Sequence, residues 1–290
     1  GQEGLELAYD HWLAGEDGAK RVIQDNLGRI VQDVESIRPV RPGRDMTLSI
    51  DMRIQYLAYR ELKSAIQAHR ARSGSVVVLD VQTGEVLAMV SQPSWNPNNR
   101  QSRNENGLVN RAMVNLLEPG STIKTFTMTA ALESGKFDMN TIIDTSPGRV
   151  VVDRRVLKDP VNYGPSTLSR IIAKSSQVGA IKVGLELGHE PMLDVLRRVG
   201  FGENIGTGFP GETSGVLPNH ERWSRGETAS LAYGYGFQVT PLQLAQAYLV
   251  YANRGLRKPV SLLRVDAPVD GYRVVDASIA QLGDALTLLH

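Results

Sequence analysis

Residues 118–124 read Glu118-Pro119-Gly120-Ser121-Thr122-Ile123-Lys124, and Thr125-Phe126-Thr127-Met128-Thr129-Ala130-Ala131-Leu132 follow. A proline and a glycine close a loop. The pattern from Thr122 to about Ser134 predicts a helix, which Gly135 stops at its C′ position. Ser121 and Lys124 stand three residues apart, so a helix sets them side by side on one face. A serine on a first turn lies where unpaired backbone N–H groups and the positive end of the helix dipole favour a developing anion. A partly desolvated lysine next to it can lose its proton and act as base for the hydroxyl. S-x-x-K is a short pattern, and the plainer alternative is an N-cap serine followed by a solvated lysine. The apolar run argues for burial, because Phe126, Met128, Ala130, Ala131 and Leu132 leave nearly every face of the helix hydrophobic. A buried lysine without a partner or a task is costly.

Further along, Lys174-Ser175-Ser176-Gln177-Val178-Gly179 places two hydroxyls and an amide between two helical patterns. Taken alone it reads as a helix-end cap. Asp51 can cap a helix in which Ile54, Leu57, Ala58, Leu62, Ala65 and Ile66 recur at helical spacing. Residues 75–81 and 85–91 form two apolar strands around Gln82-Thr83-Gly84. Residues 92–110, rich in Pro, Asn and Arg, read as a long surface loop. Helices are expected from Thr167, from Pro191 to Val199, from Thr240 with Pro241 at N1, and from Asp276 to Leu289. At the front, Val22–Val34 reads as a hairpin turning at Asn26–Gly28. The Arg38-Pro39…Pro42-Gly43 stretch reads as a linker, which sets a domain boundary near residue 45. Many helices and few strands make an α+β chain whose sheet is small for its helices.

Composition narrows the chemistry. The 290 residues are 41% hydrophobic and 22% charged, which is ordinary globular usage. A formal net charge of +1 gives no basic excess for binding nucleic acid by counterion release, so no nucleic-acid partner is expected. No cysteine is present, which removes disulfides, thiolate zinc sites and thiol nucleophiles. The five histidines keep no metal-ligand spacing, and no phosphate loop or G-x-S-x-G elbow occurs, so neither a metal site nor nucleotide binding is expected. No apolar run approaches the ~18 residues of a membrane span.

Taken together, the segments resemble the penicillin-binding protein transpeptidase family, which shares its fold with the serine β-lactamases and carries S-x-x-K, S-x-N and K-[ST]-G in that order. Ser121-Thr122-Ile123-Lys124 matches the first motif, and Ser175-Ser176-Gln177 occupies the second with Gln in place of Asn. Asp80–Met89, Asn96-Pro97-Asn98-Asn99, and Gly234-Tyr235-Gly236 running into Val239-Thr240-Pro241-Leu242-Gln243 also match. Residues 1–18 look like the end of the non-catalytic domain that precedes the transpeptidase in class B members, and the likeness is closest to the division-specific branch. One motif is missing: no lysine in the chain is followed by Ser/Thr-Gly.

The resemblance implies an α+β fold in which a helical cluster packs on an antiparallel sheet whose last strands are absent from this chain. It implies that residues 1–45 end a pedestal domain and that 46–290 form a transpeptidase domain lacking its K-[ST]-G strand. It also implies cross-linking of peptidoglycan in septal wall synthesis, with no metal or organic cofactor. Ser121 would be the nucleophile toward a D-Ala-D-Ala stem, Lys124 its base, and Ser175 a proton relay to the leaving amine. Gln177 would hold the substrate amide and Lys124. The implied partners are peptidoglycan stem peptides, β-lactam antibiotics and the cell-division machinery. The implied location is the periplasm, with anchoring to the inner membrane by an amino-terminal helix outside this chain. Without the third motif, the chain is expected to acylate poorly or not at all.

Overall fold

The computed structural model describes residues 3–96, 98–99, 101 and 105–281, which divide into two compact units. The smaller comprises the chain up to Leu48 together with Gly208–Gly211. Its main element is a hairpin of strands Ala19–Gln24 and Ile30–Arg38, closed where the sequence predicts. The Asp25 carboxylate accepts from Leu27 N and Arg29 N, each at 2.9 Å, and Gly28 turns the chain at φ +77°. The short helix Asp10–Leu13 ends beside the linker, where the Trp12 indole N–H donates to Asp45 O and the Arg44 guanidinium lies 4.7 Å over the Trp12 ring. The hairpin buries neither face.

The larger unit is built around helix Lys124–Glu133, whose residues from Lys124 to Ala131 are all buried. Phe126, Met128, Ala130 and Ala131 account for much of this, and the buried Thr127 and Thr129 hydroxyls are hydrogen-bonded to Ala232 O at 2.9 Å and to the Tyr251 hydroxyl at 2.7 Å. Phe126 meets Phe201, Tyr248 and Tyr251 edge-on at 5.4–5.5 Å, which is the favoured arrangement for ring quadrupoles. Helices Gln177–Leu187, His189–Arg198, Arg225–Ala232 and Pro241–Ala252 contribute to the same core. Strands Gly74–Leu79 and Val86–Gln92 pair antiparallel, with the second burying every other residue. Helix Met52–His69, capped by the Asp51 carboxylate on Arg53 N, packs on this pair. The Gln55 carboxamide both donates to Met89 O and accepts from Met89 N.

The described residues hold five sheets, each of only two strands. The α+β class and the small sheet agree with the sequence reading, but three strand pairs do not appear there. Hairpin Arg149–Val152/Arg155–Lys158 turns on Asp153 and Arg154, both at positive φ, a two-residue turn normally marked by Asn-Gly or Asp-Gly. Ile142–Asp144 pairs with Pro165–Thr167, and two-residue strands at 256–257 and 272–273 pair near the end. Helix Arg225–Ala232 was also unanticipated, although Ser224 and Glu227 form a complete capping box in front of it. Residues 92–110 are not all loop, because Gln92 closes a strand and Glu105–Leu108 is helical. Residues 277–281 are helical as expected, and the rest of that expected helix lies outside the described residues, as does Pro97. Among the described residues no helix is long and apolar enough to cross a membrane.

Gly184 marks where two core helices meet: a Cβ there would stand 2.4 Å from the Ala232 Cβ. Gly→Ala in a helix normally gains up to ~1 kcal/mol in propensity. Contact that tight forces the helices apart, at a typical cost of ~1–3 kcal/mol. Gly184→Ala should therefore lower stability in urea unfolding, and Gly184→Ala/Ala232→Gly should recover most of the loss.

Candidate active site

The loop before the central helix is tied to the segment 234–239. Leu117 and Val239 exchange both backbone hydrogen bonds at 3.0 Å, and Gly120 N donates to Gly234 O at 2.9 Å. Gly236 N donates to the Glu118 carboxylate at 2.9 Å. Gly234 has φ +91°, and a Cβ there would lie 1.9 Å from Gly120 O, so only glycine permits this approach. The chain then runs through a 3₁₀ turn, Gly120–Ile123, into helix Lys124–Glu133. Tyr248 OH donates to Thr122 O, fixing the turn from the far side. The outcome is an exposed Ser121 immediately ahead of a buried Lys124.

The second motif arrives from a helix end. Helix Leu168–Ala173 closes with Ser175 in the left-handed region at φ +51°, a conformation uncommon for a residue with a Cβ. That turn aims both the carbonyl and the hydroxyl of Ser175 at Lys124. Lys124 Nζ donates to Ser121 Oγ at 3.1 Å, to Ser175 Oγ at 3.0 Å and to Ser175 O at 2.5 Å. Three acceptors match the three donors of an ammonium group. Deprotonated, the same nitrogen has two donors and one lone pair, which can take a proton from a hydroxyl already in contact.

Lys124 is 3% exposed, and burial pulls its pKa down from the ordinary lysine range to about 8, with the Asp159 carboxylate opposing. Asp159 was not singled out in the sequence. It is 6% exposed and accepts from Ser176 Oγ at 2.6 Å, Gln177 N at 2.6 Å and Val178 N at 3.1 Å. It thus sits at the positive end of helix Gln177–Leu187 and holds the turn that carries Ser175. Its only sequence signal was the break at Asp159-Pro160.

Three of the four predicted residues converge and the fourth does not. Ser121, Lys124 and Ser175 share one hydrogen-bond cluster. Gln177 lies in the first turn of its helix, and its carboxamide makes no hydrogen bond to Lys124 or to any other described residue. Capping, the plainer reading of the two serines, is also realised, but by Ser176, whose hydroxyl accepts from Gly179 N at 2.9 Å. Among the described residues no three His, Asp or Glu side chains converge in a way that could hold a metal ion.

The model of the penicillin binding protein transpeptidase domain matches residues 74–285. The chain belongs to that family. The model of the penicillin-binding protein dimerisation domain matches residues 1–48. A probable peptidoglycan D,D-transpeptidase, PbpC, of Pseudomonas aeruginosa is 41% identical over 97% of this chain and 50% of its own length. The peptidoglycan D,D-transpeptidase FtsI of Escherichia coli K12 is 40% identical over 97% of this chain and 47% of its own. The chain therefore spans about half the length of these curated relatives. The transpeptidase domain of Burkholderia pseudomallei penicillin-binding protein 3, solved in its apo form, superposes with a TM-score of 0.74 at 35% identity, over 84% of this chain and 70% of that one.

The position of Lys124 makes its titration a direct readout. Its neutral fraction should rise through a midpoint near pH 8 when followed by NMR of ¹³C-labelled lysine side chains. Asp159 favours the charged form, so Asp159→Asn should move that midpoint to still lower pH. A Lys124 midpoint above 10 would show that the nitrogen is solvated rather than buried.

Proposed function

We propose that this chain carries the serine acyl-transfer machinery of a peptidoglycan D,D-transpeptidase. The observation that carries the reading is one buried Lys124 nitrogen within hydrogen-bond reach of an exposed Ser121 hydroxyl and of the Ser175 hydroxyl. Neutral Lys124 takes the Ser121 proton as Oγ attacks the carbonyl of the penultimate D-Ala of a D-Ala-D-Ala stem. The C–N bond then breaks, the departing D-Ala nitrogen takes a proton through Ser175, and an ester remains on Ser121. An amine of a neighbouring stem attacks that ester, forms the cross-link and returns the Ser121 proton. A β-lactam enters by the same attack, with its strained amide in place of the peptide bond. The Gln177 carboxamide, which makes no hydrogen bond to a described residue, is available to the substrate amide.

Residues 1–45 act in this reading as the end of a pedestal and 46–290 as the transpeptidase domain. The whole protein works on the periplasmic side of the inner membrane, held by an amino-terminal anchor, in septal wall synthesis with division proteins. Support comes from the names of the relatives and from the motif order. The second reading, a non-catalytic scaffold of the same fold, is favoured by a Gln177 that does not touch Lys124. Transfer to water, which would make a carboxypeptidase or β-lactamase, has no such observation behind it.

A fluorescent penicillin separates the two. The absent motif would supply carboxylate binding and one oxyanion N–H, and losing one such donor typically costs about 10²–10³ in rate. The 290-residue chain should therefore label slowly, at least ~100-fold below a relative that retains K-[ST]-G. The label should vanish in Ser121→Ala and in Lys124→Ala. No covalent label at any exposure favours the scaffold, and labelling that persists in Ser121→Ala overturns the assignment of the nucleophile.

A further inference from the structure

Helix Lys124–Glu133 carries threonines at 125, 127 and 129, and each hydroxyl meets a neighbouring helix. Thr127 Oγ1 donates to Ala232 O at the end of helix Arg225–Ala232. Thr125 and Thr129, one turn apart, face helix Pro241–Ala252. Thr125 Oγ1 lies 3.3 Å from the Tyr248 hydroxyl, and Thr129 Oγ1 lies 2.7 Å from the Tyr251 hydroxyl. The two tyrosines differ in what else they reach. The Tyr251 hydroxyl goes no further than Thr129 among the described residues. The Tyr248 hydroxyl also donates to Thr122 O at 2.7 Å, one residue past Ser121. Its single proton is thereby taken, so Thr125 Oγ1 is the donor in the other contact. The Tyr248 ring stands edge-on to Phe126 at 5.4 Å and tilted against Tyr251 at 6.1 Å, so core packing aims the hydroxyl. Burial raises its pKa above the ordinary tyrosine value, which keeps it a donor at neutral pH.

Tyr248 grips the chain where the type of helical turn decides the chemistry. Gly120–Ile123 is a 3₁₀ turn, closed by Lys124 N donating to Ser121 O. Ile123 and Lys124 keep ψ of −19° and −30°, on the 3₁₀ side of the α-helical value. In a 3₁₀ turn residues i and i+3 eclipse, whereas an α-helix sets them about 60° apart around the axis. Eclipsing stands Ser121 over Lys124, with Oγ 3.1 Å from Nζ. Rewinding the turn into α geometry would carry the hydroxyl sideways off the nitrogen. The 3₁₀ form has the poorer internal hydrogen bonds, so it needs anchors from outside. Three are present: Gly120 N on Gly234 O, Thr122 Oγ1 on Pro119 O at 2.9 Å, and the Tyr248 hydroxyl on Thr122 O. Of these, only Tyr248 reaches the residues between Ser121 and Lys124 from another helix.

We propose that Tyr248 is a positioning residue for the nucleophile: its hydroxyl holds the Ser121 turn in the 3₁₀ form that keeps Oγ over the Lys124 nitrogen. The proposal rests on Ser121 being the nucleophile, and it adds how that hydroxyl is kept in line. The test compares Tyr248→Phe with Tyr251→Phe in the intact chain. Each loses one phenolic hydroxyl bonded to the same helix, and only the first touches the turn. Asp159, the charged group that acts on Lys124, is unchanged in both. Two quantities are read. One is fluorescent-penicillin labelling, resolved by drug concentration into half-saturation and limiting rate. The other is the Lys124 midpoint in ¹³C NMR, which needs no acylation. Tyr248→Phe should cut the limiting rate about tenfold and leave half-saturation unchanged. It should also lower the Lys124 midpoint, because the ammonium loses the Ser121 oxygen as an acceptor. Tyr251→Phe should lower stability in urea and leave both quantities at their wild-type values. A wild-type rate or a wild-type Lys124 midpoint in Tyr248→Phe, or equal changes in Tyr251→Phe, would overturn the positioning role. A Lys124 midpoint that falls only in Tyr248→Phe, in a chain that takes no label or keeps its label in Ser121→Ala, upholds the hold on Ser121 and sinks the acyl-transfer reading alone.

Discussion

Everything in the larger unit answers to one constraint: an amine has to sit inside an apolar core without keeping its charge at every pH. Water would hold Lys124 protonated, while full burial among hydrocarbons would leave three donors unpaired. The fold takes a middle course. Helix Lys124–Glu133 is surrounded by side chains that remove water, and the nitrogen at its mouth is left with oxygen acceptors only, two hydroxyls and one carbonyl. Those acceptors satisfy the ammonium when it is present, yet none carries a formal charge that would lock it in. The nearest carboxylate, Asp159, acts on Lys124 through space, while its own hydrogen bonds go to Ser176, Gln177 and Val178. A carboxylate in direct contact would have made a buried ion pair and held the lysine charged to higher pH.

Holding oxygen atoms around one nitrogen requires backbone in unusual places, and the two halves of the site achieve it differently. On the Ser121 side the loop is drawn against the 234–239 segment so closely that position 234 has no room for a side chain. On the Ser175 side a residue with a Cβ is held at φ +51°, and the hold comes from behind, where Asp159 clamps the next three residues to the start of helix Gln177–Leu187. Strain at a functional turn persists when the surroundings over-determine it. Here a buried carboxylate and a helix N-terminus provide that.

Much of this was legible in the sequence because the signals are local. Asp51, Thr240 with Pro241, and Gly135 mark helix ends through cap chemistry that works within four residues, and each stands where it was expected. The S-x-x-K pair is local as well. What stayed hidden depends on partners far along the chain. Asp159 looks like any loop acid until the fold brings Ser176 to it, and Gly234 looks like a turn glycine until Gly120 arrives. The Asp153-Arg154 turn was missed for a different reason: neither residue is the usual choice for positive φ. Helix Arg225–Ala232 carried a capping-box signature that was readable and went unread, its Gly226 blurring the periodic pattern behind it.

The Gln at position 177 can be weighed in the same physical terms. Relative to Asn it keeps the amide and adds one methylene, which lengthens its reach by about 1.5 Å. Where the backbone is loose, such a change is absorbed by a small shift of the main chain. At this position it is not, because Gln177 N is held by the buried Asp159 and Val178 N beside it by the same carboxylate. The Cα is pinned, so the side chain must fold back or reach further into the site. Its freedom from Lys124 follows directly: the lysine donors are already filled by Ser121 and Ser175, and a longer amide from a fixed anchor has no vacant partner there. The extra methylene therefore leaves the three hydrogen bonds of the Lys124 nitrogen as they are.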